Sequence, residues 1–301
     1  ENPTTEDVGR CVEVAREESI DILIGLGGGS SMDTAKGCNF ILTNGGEMKD
    51  YWGSGKATKS MLPLIAIPTT AGTGSECQSF ALIADAKTHM KMACGDRKAA
   101  ARVAILDPEL TLTQPASVTA HTGIDALTHA IESAVTKSRS EVSMPYSRLS
   151  FSLLNDGFEA VIKNPECLQS RAKVLLGAAY AGVAIENSML GAAHAAANPL
   201  TAHFGVVHGQ AVGVMMPHVV EFNSADEQIR EIYKTLYPGN LSERVNDLMA
   251  MVGMSVGISG YGINDGSIRK LAEEACCQWT AGFNPRKVES EDFVRLYASA
   301  M

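Results

Sequence analysis

Apolar and polar positions follow two different rhythms along this chain, and the change falls near residue 110. Residues 4–18 carry Val8, Cys11, Val12 and Ala15 at helical spacing, with Thr4 or Thr5 as cap and Glu6 and Asp7 in the first turn. That pattern predicts an amphipathic helix. DILIGL (21–26) is almost wholly apolar, as in a short strand buried on both faces of a parallel sheet. It runs into GGGS (27–30), after which SMDTAKG opens a second helix. LPLIAIP (62–68) repeats the strand pattern and leads into the hydroxyl- and glycine-rich TTAGTGSE (69–76). SFALIAD (79–85) and ARVAILD (101–107) predict further strands. Strands and helices alternating in this way predict an α/β layer with a mostly parallel sheet.

Beyond DPELTLTQP (107–115) the patterns are helical to the last residue, with Pro145, Pro165, Pro199, Pro217, Pro238 and Pro285 as interruptions. The expected organisation is an α/β domain over residues 1–110 and an all-α domain over 111–301. An open parallel sheet usually starts with a strand, whereas here a helix comes first, so one or two N-terminal strands are expected to be missing.

Composition narrows the class. The 301 residues are 45% apolar with a formal net charge of −9, and no basic run exceeds two residues, which argues against nucleic acid or an anionic membrane as partner. No apolar run approaches a membrane span and no signal peptide is evident, so a cytoplasmic protein is expected. The seven cysteines include no CxxC pair and read as unpaired thiols of a reducing compartment.

The candidate chemistry begins with HAAANPLTAHFGVVH (194–208). In one unbroken helix, His194 and His208 would sit about 21 Å apart, whereas two ligands of one ion have donor atoms within roughly 4 Å of each other. If both bind one ion the helix must break, and Pro199 and Gly205 are where it can. Upstream, Asp125 and His129 in GIDALTHAIE are four residues apart and share a helix face. One carboxylate and three imidazoles suit a divalent transition metal; a set of satisfied core histidines is the other reading the spacing allows. His121 is expected to start a helix, His89 to face solvent and His218 to pack. His203 is open between cavity wall and surface.

GLGGGSSMDTAKG (25–37) sits at a strand-to-helix turn, where bare backbone N–H groups at a helix start can receive a phosphate. It is neither GxGxxG nor a Walker motif, and a plain tight turn is the alternative. Asp33 in that first turn would repel a phosphate, so it suits a ribose hydroxyl or a carboxamide, or merely the helix start. Thr69, Thr70, Thr73 and Ser75 follow the carboxyl end of the next strand, outside which ligands of open α/β folds bind, and a hydroxyl-rich loop without function is the alternative.

Taken together, GGGSSMDTAK, IPTTAGTGSE, DPEL, GIDALTHAIE, the 194–208 segment with its GQAVGVMMPHVVEFN continuation, and a closing NPR resemble the iron-dependent (group III) alcohol dehydrogenase family over nearly the whole chain. The resemblance implies a Rossmann-like N-terminal domain, a helical C-terminal domain, and a cleft between them holding NAD or NADP and a metal, the dehydroquinate synthase-like architecture. It implies Asp125, His129, His194 and His208 as metal ligands, Gly27, Gly28, Gly29 and Ser30 as the pyrophosphate loop, and Asp33 as the cofactor carboxylate. It also implies Thr69, Thr70 and Ser75 in a second cofactor loop, and Lys91 at the nicotinamide ribose. Many family members carry a second histidine four residues after position 194; here that residue is Asn198, which cannot titrate, leaving water, a cofactor hydroxyl or His203 for any proton relay.

The expected activity is reversible hydride transfer between the nicotinamide and a small alcohol or aldehyde, by a homodimer or larger homo-oligomer. Four protein ligands would close a tetrahedral zinc site, while five-coordination suits Fe(II), so iron is favoured with zinc the alternative. The rival readings are a dehydroquinate-synthase-like lyase, which would want more basic residues near the ligands, and an inactive truncated metal-binding scaffold.

Overall fold

The computed structural model of the protein describes residues 3–88 and 90–301, so His89 lies outside it. The first helix, α1 (Thr5–Glu17), is closed by a reciprocal cap: Thr4 Oγ1 accepts the Asp7 N–H, and the Asp7 carboxylate accepts the Thr4 N–H at 2.8 Å. There follow β1 (Leu23–Gly27), α2 (Gly29–Asn44), β2 (Gly53–Ser54), β3 (Leu64–Pro68), β4 (Phe80–Ala84), β5 (Lys91–Gly95) and β6 (Val103–Ala104).

These strands form two three-stranded sheets. One, in the order β1-β3-β6, is parallel; the other, β2-β5-β4, contains an antiparallel β4–β5 pair. The strand expected at 79–85 therefore stands outside the parallel sheet. Asp85, at the end of β4, turns the chain at once: its carboxylate accepts the N–H groups of Lys87 and Thr88 at 2.9 and 2.7 Å. So short a connection can return a strand only antiparallel, because a parallel return needs a crossover of a dozen residues or more.

The apolar strand at the N-terminal end is covered on one face only. Leu23 is buried and Gly25 lies against Met32 of α2, but Ile24 and Leu26 are 59% and 57% exposed. On β6, Val103 is 49% exposed. The apolar run predicts burial on both faces; among the described residues, α2 packs against β1, β3 and β4, and no helix covers the side that Ile24 and Leu26 present.

The remainder is helical: α3 (Ala116–Ser133), α4 (Ser143–Lys163), α5 (Leu168–Glu186), α6 (Ala192–Phe204), α7 (His208–Asn223), α8 (Glu227–Leu236), α9 (Leu241–Met251), α10 (Asp265–Cys277) and α11 (Ser290–Ser299). At the centre stands α3, packed on α4, α5 and α7, with Ile124, Leu127 and Ile131 fully buried. Three of the prolines expected to interrupt helices lie inside them. Pro145 occupies the first turn of α4, where its missing N–H is not needed; Pro199 and Pro217 sit within α6 and α7, each forgoing one hydrogen bond in a buried setting. No helix is long and apolar enough to cross a membrane among the described residues.

Candidate metal and nucleotide site

The break between His194 and His208 falls at Gly205 alone. Gly205 ends α6 with φ +63°, the left-handed conformation glycine adopts without penalty, and α7 begins at His208 itself. The turn carries the His208 ring back toward α3. Asp125 Oδ1 lies 3.4 Å from His129 Nε2, 3.5 Å from His194 Nε2 and 3.7 Å from His208 Nε2. Donor atoms about 2.0–2.1 Å from one ion in tetrahedral array stand about 3.4 Å apart; the Asp125, His129 and His194 donors, all within 4.8 Å of one another, are spaced for a shared cation, and His208 reaches the same carboxylate oxygen. The His129 and His194 rings stack at 4.8 Å, and His208 tilts against His194 at 5.5 Å. Asp125 Oδ1 and His194 Nε2 are buried without a hydrogen-bond partner. Orphaned acceptors aimed at one point are costly unless something positive binds them. The donor set fits a divalent transition metal.

Burial and the neighbouring charges set how each group titrates, and a metal at His194 would have to displace a proton. Burial would raise the Asp125 carboxyl, but the surrounding imidazoles hold it below the usual carboxylate range. Burial lowers His129; His208, whose side chain is 36% exposed, is lowered as well. His194 resists the same burial and rises to about 9, because carboxylates flank both its nitrogens: Asp125 at Nε2, and Glu132 at 2.7 Å from Nδ1.

On the α/β side, Gly27 (φ +139°), Gly28 and Gly29 make the turn from β1 into α2, and Ser30 lies in its exposed first turn. The second loop lies directly against this turn. The Thr69 N–H donates to the Gly27 carbonyl at 2.9 Å, and a Cβ at Gly28 or Gly29 would press on Thr70 or Thr73. Asp33 is engaged inside the protein: it accepts the Ser75 hydroxyl at 2.6 Å and the Leu82 N–H at 3.0 Å, with Lys36 at 3.6 Å. Its carboxylate braces α2, the second loop and β4 to one another, whatever else it touches. Lys91, at the start of β5, is close enough for its charge to act on Asp33, Asp125 and His208 alike. Its side chain is exposed on β5, and the charges of the two aspartates favour its ammonium form.

Asn198, one turn beyond His194, donates to Gln278 Oε1 at 3.1 Å. His203 is not brought to the cluster. Nine residues after His194 it points to the opposite side of α6, since nine steps of 100° end half a turn round, and there it pairs with Glu274 of α10 at 2.6 Å. His121 lies within α3 rather than opening it, its Nδ1 2.7 Å from the Ser117 carbonyl, while His218 is half-buried in α7. A separate cavity of about 430 Å3 between α7, α8 and α9 contains none of these residues. Two buried groups escaped the reading of the sequence. Glu132 completes D-x3-H-x2-E on one face of α3, a spacing that could have marked it; Lys36, fully buried, donates to Ser75 O, Ser75 Oγ and Phe80 O at 2.7, 2.8 and 2.9 Å.

Comparison with known proteins bears on this geometry. The chain is 34% identical over 313 residues to the NAD-dependent methanol dehydrogenase of Bacillus methanolicus, covering 100% of this chain and 82% of that protein. Its fold matches an alcohol dehydrogenase from Oenococcus oeni with a TM-score of 0.95 at 30% identity, over 100% of this chain and 82% of that one. It also matches a sulfoacetaldehyde reductase from Bifidobacterium kashiwanohense, solved in complex with NAD+, with a TM-score of 0.91 at 27% identity, over 99% of this chain and 81% of that one. Residues 1–108 match the family described as iron-containing alcohol dehydrogenase, and residues 119–301 match the C-terminal family of the Fe-containing alcohol dehydrogenases. With both halves so matched, and with a buried carboxylate–imidazole cluster in the helical half, the chain belongs to the iron-containing alcohol dehydrogenase family.

Proposed function

We propose that this metal-dependent alcohol oxidoreductase transfers hydride reversibly between NAD or NADP and a small primary alcohol or its aldehyde, where α3, α6 and α7 meet the glycine turn and β5. Asp125, His129, His194 and His208 would hold the ion, iron by preference and zinc as the alternative. When bound, the ion supplies Lewis acidity that lowers an alcohol's pKa and polarises a carbonyl, while the nicotinamide gives or takes the hydride.

The chain's own residues orient the reactants. Backbone N–H groups of Gly27–Ser30 at the start of α2 suit a pyrophosphate, with Thr69 and Thr70 alongside. Lys91 brings a cation between Asp33 and Asp125, suited to a ribose hydroxyl beside the reacting centre. Ser75 acts through Asp33, holding the second loop in register. Asn198 offers an amide one turn from His194 and cannot carry a proton, so the alcohol's proton leaves through water or a cofactor hydroxyl. His203 takes no part. A cytoplasmic location and a homo-oligomeric state complete the proposal, the seven unpaired thiols supporting the first.

The observation that carries this reading is the set of three imidazole nitrogens within 3.7 Å of one unpartnered carboxylate oxygen. The test is an NADH-linked screen of short alcohols, diols and hydroxy acids on protein loaded anaerobically with Fe(II) or Zn(II). NADH formation that chelation abolishes is the expected result. Full turnover by metal-free protein would overturn it. So would turnover of a phosphorylated keto acid without net NADH, the mark of a lyase, or metal binding with no nucleotide binding, the mark of an inactive scaffold.

A further inference from the structure

Helix α6 delivers His194 to the metal centre, yet it begins without a cap of its own. Its N-cap is Gly191, which has no side chain to accept the first N–H groups. The acceptors come from distant parts of the chain. Glu132 of α3 accepts the Gly191 N–H at 2.9 Å and the Ala193 N–H at 2.7 Å, while Asn284 accepts the Ala192 N–H at 3.3 Å. A Cβ at position 191 would lie 3.0 Å from Glu132 Oε1 and 3.1 Å from Asn284 Oδ1, so glycine is the residue that admits both acceptors. Asn284 is itself fixed by a reciprocal amide pair with Asn223 and by the Arg286 carbonyl at 2.9 Å.

Glu132 does more than cap. Its Oε2, the atom that takes the Gly191 N–H, also lies 2.7 Å from His194 Nδ1. A neutral imidazole carries its hydrogen on one nitrogen and its lone pair on the other. A carboxylate at Nδ1 accepts that hydrogen and leaves the lone pair on Nε2, the atom that faces Asp125 at 3.5 Å. We infer that Glu132 is a positioning residue for the metal centre, tying the first turn of α6 and the His194 ring to a single carboxylate so that Nε2 is the ligating atom. This assignment rests on the metal site proposed above. Asn284 shares the capping but does not touch the ring, and that difference separates positioning from mere support.

The experiment compares Glu132→Gln with Asn284→Ala, using Co(II) as the probe metal. Glutamine keeps the volume but offers one acceptor oxygen where the carboxylate offers two, so the ring and two backbone N–H groups compete for it. Glu132→Gln is expected to weaken Co(II) binding by about 10- to 100-fold and to shift the visible Co(II) bands. Asn284→Ala is expected to lower the melting temperature of the metal-free protein while leaving Co(II) affinity and spectrum as in the parent. The inference is overturned if Glu132→Gln keeps parental affinity and bands, or if both variants lose affinity in proportion to lost melting temperature. Should Glu132→Gln not fold, the parent loaded with Zn(II) still decides. Long-range 1H–15N correlations of the ring that vanishes in His194→Gln must show Nδ1 protonated, and protonation at Nε2 overturns the assignment. A parent that binds neither Co(II) nor Zn(II) removes the metal site and this inference together.

Discussion

Glu76, in the loop against the glycine turn, and Glu132, beside the metal cluster, are equally hidden at 3% exposure, yet their carboxyls are driven in opposite directions. Burial pushes Glu76 up to about 7, opposed only by its own backbone N–H and by the charge of Lys36. Burial would raise Glu132 too, but His194 and the N–H groups of Gly191 and Ala193 bring it below its ordinary value. Lys36 cannot do as much for Glu76, because its ammonium donates to two carbonyls and a hydroxyl. Burial always penalises charge, and what decides the outcome is how many donors aim at the group. The helical half gathers donors around its carboxylates and so keeps negative charge ready for a cation. The α/β half uses its buried lysine to fasten a loop, and the start of α2 is where an anion is proposed to bind.

Breaking the helical side of this contrast has the largest expected effect. Asp125→Asn removes the one charge that three imidazoles share. Metal content by elemental analysis should fall to background, and kcat/KM for alcohol oxidation by about 10^3-fold or more, the several kcal/mol a Lewis acid supplies. NADH affinity, read by fluorescence titration, should hardly change. Normal metal loading in this variant would mean that the two halves do not divide cation and anion binding as argued.

The α/β side breaks at Gly29. A Cβ there would stand 2.8 Å from both Cγ2 and Oγ1 of Thr73, and a β-branched neighbour has little freedom to turn away. Gly29→Ala should force the two loops apart and weaken NADH binding by about tenfold, roughly 1.4 kcal/mol, with metal content as in the parent. Loss of metal along with nucleotide would show that the loops also support the cluster.

Local signals carried much of this into the sequence. The Thr4 cap, the glycine turn and the Asp125–His129 spacing depend on neighbours within four residues, and all are present in the fold. The route of His208 back to His194 followed from helix geometry, with Gly205 making the break and Pro199 left inside α6. What escaped is set by distant partners. Asp33 is engaged by Ser75 and Leu82, 42 and 49 residues away, and no local pattern announces that. Glu132 shares a helix face with Asp125 and His129 and so carried a local mark, but its meeting with Asn284 over the start of α6, 59 and 92 residues from the N–H groups they accept, did not. The antiparallel return of β4 depended on the shortness of the turn after Asp85, not on strand composition. His203 is a different case: counting nine residues from His194 turns it away only because α6 runs unbroken through Pro199, which the sequence left open.

The smallest effect sharpens the contrast most directly. Because the Glu76 carboxyl is raised from 4.5 to about 7, the folded chain holds that proton more tightly than the unfolded chain does. Its contribution to stability is full below pH 4.5, is lost as pH rises through the window up to about 7, and changes no further above it. The loss is about 3 kcal/mol at most. Glu76→Gln mimics the protonated form, so at pH 8 the metal-free variant should melt above the parent by about 5 °C, with the gap closing as pH falls toward 4.5. Glu132→Gln makes the identical chemical change where three donors need an anion, and at pH 8 it should melt below the parent. Calorimetry of both variants from pH 5 to pH 8 reads the difference. Shifts of the same sign would mean that burial alone, and not the number of donors, governs the buried acids of both halves.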